Sequence, residues 1–210
     1  LIPEEFPEEK IRLQRVVDLL TCSIVKRCLT GRNYGVAVIA EWIIDKIAPE
    51  DFAALGDVSL DEHGHIRYAE LDFVEILRKP GQAEMKKTGI PMTLVDEKIG
   101  YALRCAPPIS YDIDYTRSLG YAAVRFLDEG GCSAMMTVQN NESVPLYFED
   151  LRDSKSGRIK VRLVDTTSSH YQLARDFMIR LRPEDLQDTK LANMFGLSIE
   201  EFQNRYGYLV

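Results

Sequence analysis

Tyr101 and Arg104 stand three residues apart in the stretch Gly100-Tyr101-Ala102-Leu103-Arg104-Cys105. A guanidinium is a planar fork of donors suited to a phosphate, and a phenol adds a hydroxyl beside it. Gly100 lets the backbone come close to a ligand. On spacing alone, the plainer account is an exposed arginine beside a packed tyrosine. Glu41 is the second candidate. It directly follows the apolar run Val36-Ala37-Val38-Ile39 and Ala40, where a parallel strand would end. Open α/β sheets bind ligands at the carboxyl ends of their strands, and a carboxylate there can accept from sugar hydroxyls. The alternative is an acid favoured by the positive end of a helix.

Other residues invite chemistry less strongly. His63 and His65 lie on a polar turn without further metal ligands nearby, and read as solvated. Arg158, Lys160 and Arg162 alternate with Ile159, Val161 and Leu163, which describes the wet face of a half-exposed strand. Lys98 precedes the Gly-Tyr stretch and is a further candidate cation for a phosphate. His170 follows Ser168-Ser169 without a nucleophile motif, so no catalysis is assigned to it. Cys22, Cys28, Cys105 and Cys132 form no Cys-x-x-Cys pair, and all four read as reduced thiols of a cytoplasmic protein.

The elements that would position these residues follow from periodicity. Pro7-Glu8-Glu9 opens a helix, continued by Leu13, Val16, Val17, Leu20 and Ile24 and stopped at Gly31. The run Val36–Ile39 predicts a strand buried on both faces, with a helix resuming over Trp42 to Ile47. This β-α-β-α rhythm predicts a parallel sheet covered by helices. It breaks over 49–92, read as an insertion with a helix from about Tyr68 to Leu77 and a loop at Lys79-Pro80-Gly81. A strand is expected from Leu94 to about Arg104, then an irregular loop at Pro107-Pro108. Asp114 is expected to cap a helix carrying Tyr115, Leu119, Ala122 and Phe126, ended by Gly130-Gly131. Ala134 to Val138 reads as another buried strand, and Ser169 to Leu181 as a helix. Ser198-Ile199-Glu200-Glu201 is a capping-box pattern before a last short helix.

The 210 residues are 45% apolar, enough for one sizeable core. No apolar run is long enough for a membrane span. A net charge of −7 argues against general nucleic-acid binding but not against a phosphorylated small molecule, which needs only local cations. Leu1-Ile2-Pro3 has neither the basic region nor the apolar core of a signal peptide, and lacks an initiator methionine, so the polypeptide is expected to begin upstream.

Two stretches together resemble one family. Asn33-Tyr34-Gly35-Val36-Ala37-Val38-Ile39-Ala40-Glu41 resembles the phosphofructokinase segment that ends in Pro-Glu-Gly. The stretch Ile99 to Leu119 is similar to the Gly-Tyr-Glu-x-Arg-Cys segment of pyrophosphate-dependent phosphofructokinases, where ATP-dependent enzymes usually carry Gly-His-x-x-Arg-Gly. Leu1-Ile2-Pro3-Glu4 also matches a strand end of that family. The resemblance implies a Rossmann-like α/β fold, with a parallel sheet between helix layers. It implies a C-terminal sugar-phosphate-binding domain over 1–185, an insertion at about 49–92, and a helical tail over 186–210. It places Glu41 on the sugar of fructose 6-phosphate, and Tyr101 and Arg104 on the same substrate, with Arg104 at its 6-phosphate. The complete enzyme would transfer phosphate from pyrophosphate to the sugar's 1-hydroxyl with Mg2+, in the cytoplasm and as a homo-oligomer. No catalytic residue is assigned within this chain. The aspartate that takes the proton, the pyrophosphate site and most of the Mg2+ site are expected in a preceding half. Ala40 and Trp42 replace the proline and glycine beside Glu41, and Ala102 replaces a glutamate. Two other readings therefore stand beside the first: an ATP-dependent enzyme, and a non-catalytic sugar-phosphate-binding regulatory subunit.

Overall fold

The computed structural model describes residues 1–53, 73–153, 157, 159–160 and 163–210. His63, His65, Arg158, Val161, Arg162 and the expected helix start near Tyr68 lie outside the described residues. The chain is a mixture of α and β and divides into two compact units, Leu1–Glu97 with Val164–Val210, and Lys98–Leu163.

The spine of the first unit is α1, Leu13–Leu29. Its apolar residues serve two clusters in succession. Val16 and Val17 pack with Phe6, Ile11, Ile43, Ile47, Phe52, Phe73 and Leu77. One turn further on, Cys22 and Val25 pack with Met85, Leu181, Leu191, Phe202 and Tyr206. A helix whose apolar stripe is buried along its length in this way draws its stability from packing more than from propensity. The helix begins later than Pro7 suggests. Ile11 is held extended by backbone bonds, its N–H donating to Lys46 at 2.7 Å and its carbonyl accepting from Ala48 at 2.8 Å. The first turn of α1 is capped from outside: Asp51, on the short helix α2 (Pro49–Ala53), accepts from the Leu13 amide at 2.6 Å and from Arg12 Nε at 2.9 Å. Burial raises the Asp51 carboxyl, but those bonds and the Arg12 charge outweigh it and leave it below the ordinary carboxylate range.

Helix α3, Phe73–Lys87, packs on α1 and runs straight through Lys79-Pro80-Gly81, where a loop was expected. Proline removes one intrahelical bond, yet Phe73, Leu77 and Met85 are buried along one face of this helix and hold it continuous. Gly81 is required there by a close approach: a Cβ would lie 3.1 Å from Leu94 Cδ1.

The segment from Leu94 is the second departure. It ends not in a strand but in α4, Gly100–Arg104, a single helical turn. α5, Ser110–Asp128, starts four residues before the expected Asp114 cap; Asp112 accepts from the Ile109 amide at 2.9 Å instead. Gly130, at φ 85°, ends it in a conformation that favours glycine. β1 (Ala134–Gln139) and β2 (Glu142–Tyr147) form an antiparallel hairpin across Asn140-Asn141, both at positive φ as a two-residue turn requires. The strand expected to be buried, β1, is thus half-buried: it packs on α5 together with β2, whose Tyr147 meets Phe126 edge-on at 6.3 Å. Gly131 passes so close to Phe126 that a Cβ would lie 2.5 Å from its ring.

Of the two remaining expected helices, the one from Ser169 ends at Phe177, short of the expected Leu181, and the last short helix is present. α6 spans Ser169–Phe177, with Ser168 as its cap. α7, Thr189–Met194, and α8, Ile199–Tyr206, close the chain, and Ser198 and Glu201 form the reciprocal capping box. Tyr208 then reaches back to α1, where its hydroxyl donates to the buried Asp18 carboxylate at 2.8 Å. The described strands form a two-stranded antiparallel sheet, and a single parallel bridge joins Ile11 to Ile47. Among the described residues no helix is long and apolar enough to cross a membrane.

Candidate functional site

Glu41 belongs to the first unit. Residues 36–40 run extended, and Ala40 donates its N–H to the Leu1 carbonyl at 2.9 Å, while the Leu1 nitrogen donates to the Val38 carbonyl at 2.7 Å. The run Val36–Ile39 therefore lies beside Leu1, but it forms no strand, and the strand expected there with both faces buried is not found. Val36 and Val38 are 93% and 64% exposed, so their apolar side chains have little cover within this chain. Glu41 begins a two-turn 3-10 helix, Glu41–Lys46, which is anchored by the buried Ile43 and Ile44. Its own side chain is exposed, with Trp42 exposed next to it. Ahead of the apolar run the chain is held at Tyr34 by Arg27, which donates from Nε to the Tyr34 carbonyl at 2.5 Å and stacks its guanidinium over the Tyr34 ring. Gly35 fits under that arginine, since a Cβ would come within 3.3 Å of Arg27 Cδ.

Tyr101 and Arg104 belong to the second unit, and the turn of α4 brings them together. The Arg104 guanidinium lies 5.2 Å from the centre of the Tyr101 ring. A side chain at Gly100 would touch Arg104 Nη2 at 3.5 Å, so the guanidinium rests over the glycine as well as the ring. A cation over an exposed aromatic face is worth about 0.5–1 kcal/mol. That is enough to bias the side chain toward one direction while its N–H groups remain open to an anion. The whole turn is exposed, Leu103 included. Helical geometry, not a strand end, is what juxtaposes positions 101 and 104 here.

The weaker candidates find ordinary roles. Lys160 donates to the Asp150 carbonyl at 3.1 Å. His170 is exposed in the first turn of α6. All four cysteines are free thiols. Burial pushes the Cys22 thiol well up, so it is inert. Among the described residues no three His, Cys, Asp or Glu side chains are grouped to hold a metal ion.

One cluster close to the Glu41 segment escaped the sequence reading. Glu5, Tyr171 and Arg180 form a largely buried hydrogen-bonded group, with Tyr171 and Arg180 lying 166 and 175 residues beyond Glu5. Burial alone would raise the Glu5 carboxyl, but the Arg180 charge and the Tyr171 hydroxyl bring it below its ordinary value. Burial and the bond to Glu5 push the Tyr171 phenol up to about 12. No local pattern announces partners so distant in sequence.

Comparison with known proteins bears on the whole chain. No protein-family model matches it. It is 38% identical over 223 aligned residues to a pyrophosphate--fructose 6-phosphate 1-phosphotransferase of Naegleria fowleri, covering all of this chain and 51% of that protein. It is 43% identical over 217 residues to the enzyme of the same name from Thermotoga maritima, covering 98% of this chain and 51% of that protein. A more distant relative, a beta subunit of that name from Arabidopsis thaliana, is 26% identical over 67% of this chain. The chain thus spans about half the length of the first two relatives. Along its whole length it matches a portion of enzymes named pyrophosphate--fructose 6-phosphate 1-phosphotransferase.

Proposed function

We propose that this chain supplies the grip on fructose 6-phosphate in a pyrophosphate-dependent phosphofructokinase, which transfers a phosphoryl group to the sugar's 1-hydroxyl. The single observation that carries this is the identity of 38–43% over nearly the entire chain to enzymes named for that reaction. The geometry agrees with the division of labour. Arg104 and Tyr101 present a guanidinium and a hydroxyl on one exposed turn, suited to a phosphate. Glu41 is exposed at the end of an extended apolar run, suited to sugar hydroxyls.

In this reading the chain is the C-terminal, sugar-phosphate-binding part, with 1–185 as the domain, 49–92 as its insertion and 186–210 as a helical tail. The exposed Val36 and Val38 fit a Rossmann-like parallel sheet completed by further strands of the same polypeptide. The aspartate base and the pyrophosphate site would lie outside these residues, in a cytoplasmic homo-oligomer. Phosphoryl transfer depends on positioning and on neutralising charge. Mg2+ would supply that neutralisation when bound to pyrophosphate; the described residues group no ligand set for it. The chain's own residues hold the sugar so that its 1-hydroxyl faces the donor.

The test is an assay of the full-length polypeptide containing this chain with fructose 6-phosphate, Mg2+ and either pyrophosphate or ATP. Fructose 1,6-bisphosphate formed from pyrophosphate supports the proposal. Product from ATP alone overturns the choice of donor. No product with either donor, together with retained binding of fructose 6-phosphate, favours the regulatory-subunit reading, to which Trp42 beside Glu41 and Ala102 beside Tyr101 lend support.

A further inference from the structure

The Glu5 carboxylate is held from two directions. Arg180 Nη2 donates to both of its oxygens, at 3.1 and 2.9 Å, and the Tyr171 hydroxyl donates to Oε1 at 2.8 Å. The Arg180 and Glu5 side chains are 9% and 10% exposed. Arg180 is itself fixed through its backbone: its carbonyl accepts from Lys26 Nζ at 3.0 Å, and Lys26 also pairs with Asp185 at 2.6 Å. Two separate stretches, α6 and the segment after it, therefore converge on one carboxylate, and α1 braces the second of them through Lys26. A buried ion pair adds little net stability, because desolvation offsets the attraction, but it does select one geometry.

The geometry selected is that of the chain's first turn. Glu5 closes the single 3-10 turn Pro3–Glu5, whose amide at Glu5 bonds the Ile2 carbonyl at 3.2 Å. Immediately before that turn, the Leu1 carbonyl accepts the Ala40 amide, and the Leu1 nitrogen bonds Val38. Glu41 is the next residue. We infer that Arg180 and Tyr171 are positioning residues for Glu41: they lock Glu5, Glu5 locks the turn Pro3–Glu5, and that turn holds residues 38–41 where Glu41 meets the sugar. The inference rests on the reading of Glu41 as a sugar-contacting residue. None of the three clustered side chains need touch substrate.

The test uses Tyr171→Phe, which removes one hydroxyl, and Arg180→Ala, both in the full-length enzyme, with Glu41→Gln for reference. Two quantities are measured: amide exchange at Ala40, against Phe202 in α8 as an internal control, and KM for each substrate. Losing one charge-assisted hydrogen bond should speed exchange at Ala40 by about tenfold with Phe202 unchanged. It should also raise KM for fructose 6-phosphate by about three- to tenfold, with KM for pyrophosphate little altered. Unchanged exchange at Ala40 in Tyr171→Phe overturns the inference, as does uniform acceleration at Ala40 and Phe202, the mark of a general stabilising role. If Glu41→Gln raises KM for fructose 6-phosphate but Tyr171→Phe does not, the positioning role fails while the sugar contact stands. If Glu41→Gln itself leaves that KM unchanged, it is the assignment of Glu41 that fails.

Discussion

At the scale of single residues, the candidates split by how local their partners are. Arg104 and Tyr101 were legible because three-residue spacing suffices to bring them together, although a helical turn does this and not the expected strand end. Glu41 stands out in the sequence because an apolar run ends just before it. Glu5, Tyr171 and Arg180 were not, since each is an ordinary residue until the fold joins them. Glu41→Gln keeps shape and removes charge, so the folded state should survive while affinity for fructose 6-phosphate falls by about tenfold. Binding calorimetry and a thermal melt would check both halves of that statement. The buried cluster gives a pH dependence with a definite sign. The groups facing Tyr171 are Glu5, Arg175 and Arg180. Its phenol is raised from 10.0 to about 12, so the stability it contributes is complete below pH 10 and is lost as the pH rises toward 12. Glu5 is lowered from 4.5, so its contribution is present above that value and is lost as the pH falls below it. The difference in melting temperature between the natural chain and Tyr171→Phe should hold steady from neutrality to pH 10 and then shrink; a difference that grows above pH 10 would contradict the assignment.

At the scale of elements, the helices with local punctuation were the readable ones. Gly31 and Gly130 stop α1 and α5 at positive φ, and Ser198 with Glu201 starts α8. What overrode the sequence signals was packing and pairing. Helix α3 continues through Pro80 and Gly81 because its buried face demands continuity. α1 starts late because Ile11 pairs with the backbone of Lys46 and Ala48. Residues 134–138 are apolar enough for a doubly buried strand, yet they form a hairpin with one covered face. Apolar runs state what would be buried, not which chain segment covers it. The capping box offers a simple check on this level. Ser198→Ala removes the hydroxyl that accepts from the Glu201 amide at 3.2 Å and should lower stability by about 1 kcal/mol. Urea denaturation would show that shift in midpoint with an unchanged slope; no shift would mean that α8 is held by Phe202 and Tyr206 alone.

At the scale of the whole molecule, the chain corresponds to about half of the enzymes it resembles, and its chemistry reads as half of a reaction. In the proposed reading it supplies a cation and a hydroxyl for the sugar phosphate, and the base is expected in residues outside it. General-base help is typically worth about 10² to 10⁴ in rate, and donor positioning adds more. The purified 210-residue chain is therefore expected to form no measurable fructose 1,6-bisphosphate with pyrophosphate or ATP. Turnover by the chain alone would place the catalytic groups within it. The claim that these residues grip the sugar phosphate is tested most directly by steady-state kinetics of Arg104→Ala in the full-length enzyme. A charge-assisted hydrogen bond contributes about 1.5–3 kcal/mol, so KM for fructose 6-phosphate should rise by roughly ten- to a hundredfold while KM for pyrophosphate stays nearly constant. Equal weakening toward both substrates, or none toward fructose 6-phosphate, would contradict it.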